Sequence, residues 1–153
     1  MKRSSCSSFT ERFQKFLRTD RSRKLVYDFE GADVTVGDAR KEKGRGCDYA
    51  MMIRNGGNCE MVLIECKGGE LNLGDFKDAK EQLEYSVDFV KTAFDDVPDL
   101  AVICYERSSA IVSDIILRRN LLNERLRHGV RLILMQVKDQ VKDERYAYCR
   151  ICR

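Results

Sequence analysis

Two carboxylates and a lysine with the potential for phosphate chemistry flank a single predicted turn: Asp48, Glu65 and Lys67. Two acidic side chains can share a divalent cation, because Mg²⁺ prefers oxygen ligands and commonly takes one or two carboxylates plus water and substrate phosphate. A neighbouring lysine can orient or deprotonate a water, or neutralise charge on a phosphate. Acid, acid, lysine and metal together suit phosphodiester hydrolysis, in which the metal activates water and stabilises the leaving oxygen.

The turn determines whether the two carboxylates meet. Residues 47–54 and 59–67 read as strands around Asn55-Gly56-Gly57-Asn58, a strong hairpin signal. Closure is symmetric whether the loop has two residues or four, so Arg54 is expected opposite Cys59. Counting back places Asp48 opposite Glu65, with Cβ atoms roughly 4.5–5.5 Å apart. A slip of one residue would instead put the two carboxylates on opposite faces of the sheet.

Glu65 follows Met61-Val62-Leu63-Ile64, an apolar run that reads as an interior strand. An ionised carboxylate at the end of a buried strand is costly unless something compensates it, and a divalent cation would do so. Lys67 is two residues further on, hence on the same side and about 7 Å away along the strand. The alternative is structural: Glu65 and Lys67 form a surface ion pair worth under about 1 kcal/mol, and Asp48 caps a turn.

Apolar periodicity and turn residues predict the elements that position these side chains. A capping box, Ser8-Phe9-Thr10-Glu11, opens a helix over residues 8–18. Helix 74–94 should bury one stripe of apolar residues. The other predicted elements are a strand at 33–36, strands at 100–104 and 130–137, a helix at 113–127 ending at Gly129, and an edge strand within 146–151. The core order α-β-β-β-α-β-α-β predicts an α/β fold, a mixed central β-sheet flanked by helices.

The composition limits the architecture and the class of partner. A chain of 153 residues is long enough for one domain with a core, so residues 1–153 are expected to form a single domain. No apolar stretch is long enough to span a bilayer and no signal core opens the chain, which predicts a cytoplasmic protein without a membrane partner. The net charge of +3, from 28 basic and 25 acidic residues, excludes a histone-like binder but leaves room for a local basic groove.

Three short motifs together resemble the PD-(D/E)XK nuclease superfamily. They are Gly46-Cys47-Asp48-Tyr49, Ile64-Glu65-Cys66-Lys67-Gly68 and Ala79-Lys80-Glu81-Gln82-Leu83. The resemblance covers residues 33–137, including the order of elements, and implies a restriction-endonuclease-like core. Cys47 occupies the position at which the name of the family has Pro.

The resemblance implies a role for each motif residue. Asp48 and Glu65 would bind Mg²⁺, for which Mn²⁺ may substitute, and Cys66 would offer its backbone carbonyl to the metal. Lys67 would be the catalytic lysine, and Gln82 would position water or a phosphate. Gln82 is equally compatible with a solvated helix residue.

Some members of the superfamily place a further metal-site Glu on the first helix. Glu11 is the candidate for this role, although its position in the capping box already explains it.

Basic residues that precede Asp48 are the expected phosphate contacts: Arg40, Lys41, Lys43 and Arg45, on a polar, glycine-containing segment that reads as a mobile loop. A second basic cluster fits a solvated helix face equally well: Arg118, Arg119, Arg125 and Arg127.

The expected activity is that of a Mg²⁺-dependent endodeoxyribonuclease acting on DNA, with RNA as a further substrate to be tested. A homodimer is compatible with this expectation, because members of the superfamily often act on two strands as dimers. The alternative from another class is a nuclease-fold protein that binds nucleic acid or regulates without cleaving.

The seven cysteines show no regular framework spacing and are expected to be reduced thiols. Cys47 and Cys66 are neighbours in the proposed register and would form the first accidental disulfide. Cys149 and Cys152 form one C-x-x-C motif, for which the alternative is a zinc- or redox-linked interaction module. A structural zinc site usually needs a second pair of ligands, which the sequence does not show.

Overall fold

A computed structural model describes residues 13, 23–24, 33–40, 44–55, 58–121, 125–137, 148–149 and 151–152; at residues 23–24, 33–35, 55 and 117–121 only the backbone is described. The elements are β1 (Arg23–Lys24), β2 (Asp33–Asp38), β3 (Tyr49–Asn55), β4 (Asn58–Leu71), α1 (Leu73–Phe94), β5 (Leu100–Ser108), α2 (Ala110–Leu121), a 3₁₀ turn (Arg127–Gly129) and β6 (Leu132–Gln136). This order confirms the predicted α/β class.

The strands form one mixed sheet in which their spatial order follows the sequence, β1-β2-β3-β4-β5-β6. Strands β1 to β4 pair antiparallel, whereas β4, β5 and β6 pair parallel. Parallel neighbours need a crossover connection, and α1 and α2 supply the two that are required. Both helices contribute to the same apolar cluster, so they cover one face of the sheet.

The predicted hairpin register is confirmed. Arg54 pairs with Cys59, and the ladder continues without a shift to Tyr49 opposite Ile64. One further step along each chain leads to Asp48 and Glu65. The Gly56-Gly57 part of the turn lies outside the described residues, and the register follows from the ladder itself.

Helix α1 packs on the core through one apolar face and is capped at both ends. Its predicted stripe is confirmed: Phe76, Ala79, Leu83, Val87, Val90 and Phe94 are all buried. The side chain of Asn72 caps the helix by accepting from the Asp75 N–H at 2.9 Å. Asp95 ends it in a left-handed conformation with φ 52°, its N–H donating to Lys91 O at 3.0 Å.

The second predicted helix begins and ends earlier than expected. It begins at Ala110 because the Ser109 hydroxyl accepts from the Val112 N–H at 3.2 Å, which is a helix N-cap. It is described as far as Leu121, residues 122–124 lie outside the described residues, and Arg125 already forms a β-bridge with Arg131, so the helix does not reach Arg127. Gly129, with φ +76°, closes a separate 3₁₀ turn instead of this helix.

Two further predictions concern the ends of the chain. Of the helix predicted over residues 8–18, only Phe13 is described; it is helical and fully buried in the cluster under α1. The edge strand predicted within residues 146–151 is wrong for the tail residues described, which form 3₁₀ turns that cover the other sheet face. No helix within the described residues is long and apolar enough to cross a membrane.

The expectation of free thiols is wrong for this structure. Cys66 is bonded to Cys152 and Cys104 to Cys149, and Cys59 is disulfide-bonded as well. The partners are 86 and 45 residues apart, so only the fold brings them together. The free thiol among the described cysteines belongs to Cys47.

The expected contact between Cys47 and Cys66 is also wrong. Cys47 precedes β3 and is buried with α1 on one face of the sheet, whereas Cys66 packs on the opposite face. The pairwise register therefore does not extend to Cys47, because the chain leaves the ladder before Asp48.

Candidate active site

Asp48 and Glu65 are linked by reciprocal contacts with the backbone. The Asp48 N–H donates to Glu65 Oε1 at 3.0 Å, and Asp48 Oδ2 accepts from the Cys66 N–H at 2.9 Å. These hydrogen bonds hold each carboxylate in one orientation, so neither side chain rotates freely. The hairpin register ends one step before the two residues, and these bonds hold them together and define the direction in which their oxygens face.

Glu65 is the buried member of the pair, with 1% of its surface exposed, whereas the Asp48 side chain is 25% exposed. Burial and, after it, the adjacent Asp48 charge raise the pKa of the Glu65 carboxyl to about 7, against the opposing effects of Arg40 and Lys67. Near neutral pH the protonated and ionised forms of the Glu65 carboxyl therefore coexist, even with Arg40 and Lys67 beside it.

Arg40 supplies positive charge between the two acids. Its Nη2 donates to Asp48 Oδ1 in a short contact and lies 3.3 Å from Glu65 Oε1, so one nitrogen bridges both carboxylates. Its Nη1 donates to Gly44 O at 2.9 Å, which closes the loop before the site. Partial burial lowers the pKa of the Arg40 guanidinium, but the hydrogen bond and charge of Asp48 outweigh that effect and raise it.

Lys67 lies on the same side of β4 as Glu65, as predicted, with its Nζ 3.6 Å from Glu65 Oε2. Its side chain is 26% exposed, so the ammonium group can reach a molecule at the surface. The β4–β5 register shifts between Lys67 and Glu70, where Gly69 has φ +70°. This bulge interrupts the ladder directly after Lys67, and the ladder resumes at Glu70; bulges are common beside functional sites.

Gln82 and its neighbour Ser86 hold the loop that carries Asp48. Gln82 Oε1 accepts from the Gly46 N–H at 2.8 Å, and Ser86 Oγ accepts from the Cys47 N–H at 2.8 Å. Gly46 has φ +98°, and a Cβ there would be 3.0 Å from Ser86 Oγ. These contacts give Gln82 a positioning role toward the loop, beside the role at water or phosphate that remains a prediction.

The loop residues expected to contact phosphate have different surroundings. Arg40 points into the carboxylate pair, and Arg45 is exposed. Lys41 and Lys43 lie outside the described residues. The binding of nucleic acid by these four residues remains a prediction.

The second basic cluster is only partly described. Arg127 is engaged in ion pairs with Glu84 at 3.2 Å and Asp88 at 2.7 Å, and Arg125 Nη1 donates to Gly129 O at 3.4 Å. The side chains of Arg118 and Arg119 are not among those described. The contacts of Arg127 fit the alternative of a solvated, ion-paired face.

Sequence reasoning missed the roles of two residues in the site. Arg40 was expected only to contact phosphate, and nothing in its polar segment indicates that it turns toward the carboxylates. Ser86 had a visible signal, since it lies at helical spacing within the apolar stripe of α1 and is 2% exposed. Glu11, the candidate on the first helix, lies outside the described residues.

The donor set fits a hard divalent cation. Arg40 Nη2 already contacts an oxygen from each carboxylate, which marks a point where one positive charge faces both. Within the described residues no group of three or more His, Cys, Asp or Glu side chains is placed to hold a metal. Two carboxylates with water and phosphate are nevertheless a usual environment for Mg²⁺.

Comparison of the chain with protein-family models, with curated proteins and with solved structures finds no match.

Proposed function

We propose that this protein is a Mg²⁺-dependent nuclease of the PD-(D/E)XK superfamily, with a restriction-endonuclease-like core, that hydrolyses phosphodiester bonds in DNA in the cytoplasm. The observation that carries the proposal is the bridging of Asp48 and Glu65 by one nitrogen of Arg40, with Lys67 beside Glu65. Two fixed carboxylates facing a common cation, next to an accessible lysine, are the groups that phosphodiester hydrolysis requires.

Asp48 and Glu65 would hold the ion, together with the backbone carbonyl of Cys66. Mg²⁺, or Mn²⁺ in its place, supplies activation of water and stabilisation of the leaving oxygen when it is bound. Lys67 contributes positive charge beside Glu65, where it can orient a water or neutralise the scissile phosphate. Gln82 fixes the Gly46 N–H and thereby the loop that leads into Asp48.

The position of Arg40 adds a step to the proposal. Its guanidinium lies against the two carboxylates that would hold the metal, so binding of Mg²⁺ there would compete with this contact. Released, it lies beside the site on the loop expected to contact phosphate, so the same residue can pair with the substrate backbone.

The second candidate is a nuclease-fold protein that binds nucleic acid without cleaving it. It is favoured by the same ion pair, because a carboxylate pair already neutralised by Arg40 has no need of a metal for stability. The two candidates differ in metal binding and in product formation.

The test is an assay of linear duplex, circular duplex, single-stranded DNA and RNA in Mg²⁺, in Mn²⁺ and in EDTA. The proposal expects cleavage of DNA with either metal and none in EDTA, and cutting of circular duplex identifies an endonuclease. Binding of Mg²⁺ and DNA without any cleavage supports the second candidate. Absence of both cleavage and Mg²⁺ binding contradicts the nuclease proposal.

A further inference from the structure

Four cysteines converge on the face of the sheet opposite the helices. Cys66 and Cys104 are register partners on the adjacent parallel strands β4 and β5. Cys149 and Cys152 belong to the C-terminal segment that lies across them, with Cα separations of 5.6 Å from Cys149 to Cys104 and 5.5 Å from Cys152 to Cys66. The structure joins them as two disulfides side by side.

These cysteines form two pairs of the kind found in structural zinc sites. Cys149 and Cys152 have the C-x-x-C spacing, which supplies two sulfurs from one turn. The second pair, which is not visible in the sequence, comes from neighbouring strands about 4.8 Å apart. Cys66 and Cys104 therefore complete the four-sulfur set that the C-x-x-C motif lacks by itself.

The surroundings of the cluster are apolar; Cys104 and Cys149 are closed to water, whereas Cys66 and Cys152 are partly buried at its edge. Cys149 is fully buried and Cys104 is 1% exposed. Tyr148 and Ile151, on the same C-terminal segment, belong to the buried cluster over this face. Such surroundings favour sulfur ligands that are fixed in place and shielded from competing solvent.

We propose that, when both disulfides are reduced, Cys66, Cys104, Cys149 and Cys152 bind one Zn²⁺ ion in a closed, structural four-thiolate site. A dithiol reductant gives two electrons and two protons to each disulfide, the S–S bond breaks, and the dithiol is oxidised to its own disulfide. The four thiols then release four protons to solvent as four Zn–S bonds form.

Zinc would maintain the attachment that the disulfides provide. Binding depends on reduction, because the thiolate is the metal ligand and the sulfurs of a disulfide are not thiolates. A reducing compartment converts the cysteines to thiols, which removes the covalent link between Cys149 and Cys152 and the sheet. A shared Zn²⁺ restores this link between the segment and strands β4 and β5.

The first test measures zinc in the full chain. The protein is reduced with a dithiol without oxygen, incubated with Zn²⁺ and passed through a desalting column, beside an oxidised sample treated in the same way. We expect about one zinc per chain after reduction and none in the oxidised sample. Co²⁺ added in place of Zn²⁺ should give the intense sulfur-to-metal absorption of a tetrahedral thiolate site. Reduced wild-type protein without zinc overturns the proposal.

Variants separate this cluster from other ligands. Cys104→Ser and Cys149→Ser should each lose the zinc and the thiolate absorption of Co²⁺. Cys47→Ser is the matched control, because Cys47 is a buried free thiol on the other face. Glu65→Gln, in which the carboxylate site is removed, should also keep the zinc. Full zinc content in Cys104→Ser and Cys149→Ser contradicts the assignment.

A stability measurement decides the matter if the serine variants do not fold. Zn²⁺ that binds only the folded state raises the free energy of unfolding by RT ln(1 + [Zn²⁺]/Kd). The comparison uses Glu65→Gln, in which the carboxylate site is removed. The thermal midpoint of the reduced protein should therefore increase with Zn²⁺ and return when a chelator is added, whereas the midpoint of the oxidised protein should not change. Equal response of both forms, or no response of the reduced form, overturns the proposal.

Discussion

Asp48 and Glu65 are joined by two hydrogen bonds that involve backbone N–H groups. The Asp48 N–H donates to Glu65 Oε1, and the Asp48 carboxylate accepts from the N–H of Cys66, which follows Glu65. Both contacts are formed at the end of the β3–β4 ladder, one step beyond its last regular pair. Two like charges are thereby held together at a point where repulsion would separate mobile side chains. This arrangement makes the site sensitive to single substitutions.

Lys67→Met should abolish DNA cleavage but leave Mg²⁺ and DNA binding intact, because lysine contributes charge or proton transfer near the transition state. Asp48→Ala and Glu65→Ala should instead lose Mg²⁺ binding and cleavage together. Proton transfer by a positioned group typically contributes about 10²–10⁴-fold to the rate. Calorimetry of Mg²⁺ binding beside a cleavage assay measures the two effects.

Lys91→Met is the matched control for Lys67→Met, since Lys91 lies near the C-terminal end of α1 and pairs with Asp95 at 3.5 Å. It should retain the parental rate. Parental cleavage in all three site variants would exclude the nuclease assignment.

Arg40→Gln should destabilise the metal-free protein and strengthen Mg²⁺ binding. Loss of the bridging guanidinium leaves Glu65 without its closest cation. We expect the free energy of unfolding to fall by about 1–2 kcal/mol, a value that already allows for solvent screening because the Arg40 side chain is 30% exposed. The ion then no longer competes with Arg40. Urea unfolding in EDTA and Mg²⁺ titration calorimetry test both effects, and weaker Mg²⁺ binding in Arg40→Gln would contradict the competition.

DNA binding should weaken with salt, and the basic loop should contribute to that dependence. For duplex DNA, removal of one protein–phosphate ion pair should reduce the slope of log K against log[salt] by about 0.9. We expect the slope to become less steep when Arg40, Lys41, Lys43 and Arg45 are changed to Ala. Because Arg40 also contacts the carboxylates, the triple variant that retains it is measured in parallel. An unchanged slope in both variants would contradict a role of the basic loop and would favour the second basic cluster as the site of phosphate contacts.

Glu65→Gln should flatten the pH dependence of stability in EDTA. The Glu65 pKa of about 7 in the folded state exceeds its ordinary value of 4.5, so the folded protein binds more protons than the unfolded chain between these pH values. The free energy of unfolding therefore falls as pH rises through this window, by on the order of 3 kcal/mol. Glu60→Gln, at an exposed position of the same strand, should keep the wild-type slope. Equal slopes in all three proteins would contradict a raised Glu65 pKa.

Ser86→Ala should destabilise the protein and disturb the loop before Asp48. It leaves the buried Cys47 N–H without its acceptor, which costs about 1–3 kcal/mol. Ser113→Ala serves as control, because the Ser113 hydroxyl lies 2.6 Å from that of Ser108 at an exposed position. Chemical unfolding compares the two. A loss no larger in Ser86→Ala than in Ser113→Ala would contradict the positioning role.

The sequence by itself determined the α/β class, the stripe of α1 and the register of the hairpin. These features depend on local periodicity and on a symmetric turn, so they are encoded in residues close to each other. Asp48 and Glu65 could be placed near each other in advance for this reason, because Arg54 opposite Cys59 fixes the ladder as far as Tyr49 opposite Ile64, one step before them. The placement of Lys67 follows from the alternation of side chains along one strand.

The tertiary structure alone decided where Arg40 and the cysteines lie. Arg40 turns inward because two carboxylates, eight and 25 residues away, create a negative site that no local pattern reveals. Cys66 and Cys104 become neighbours only when β4 and β5 pair in parallel across the intervening α1. The tail brings Cys149 and Cys152 to them through packing of apolar surface, which is non-directional and depends on the whole sheet face rather than on any short segment.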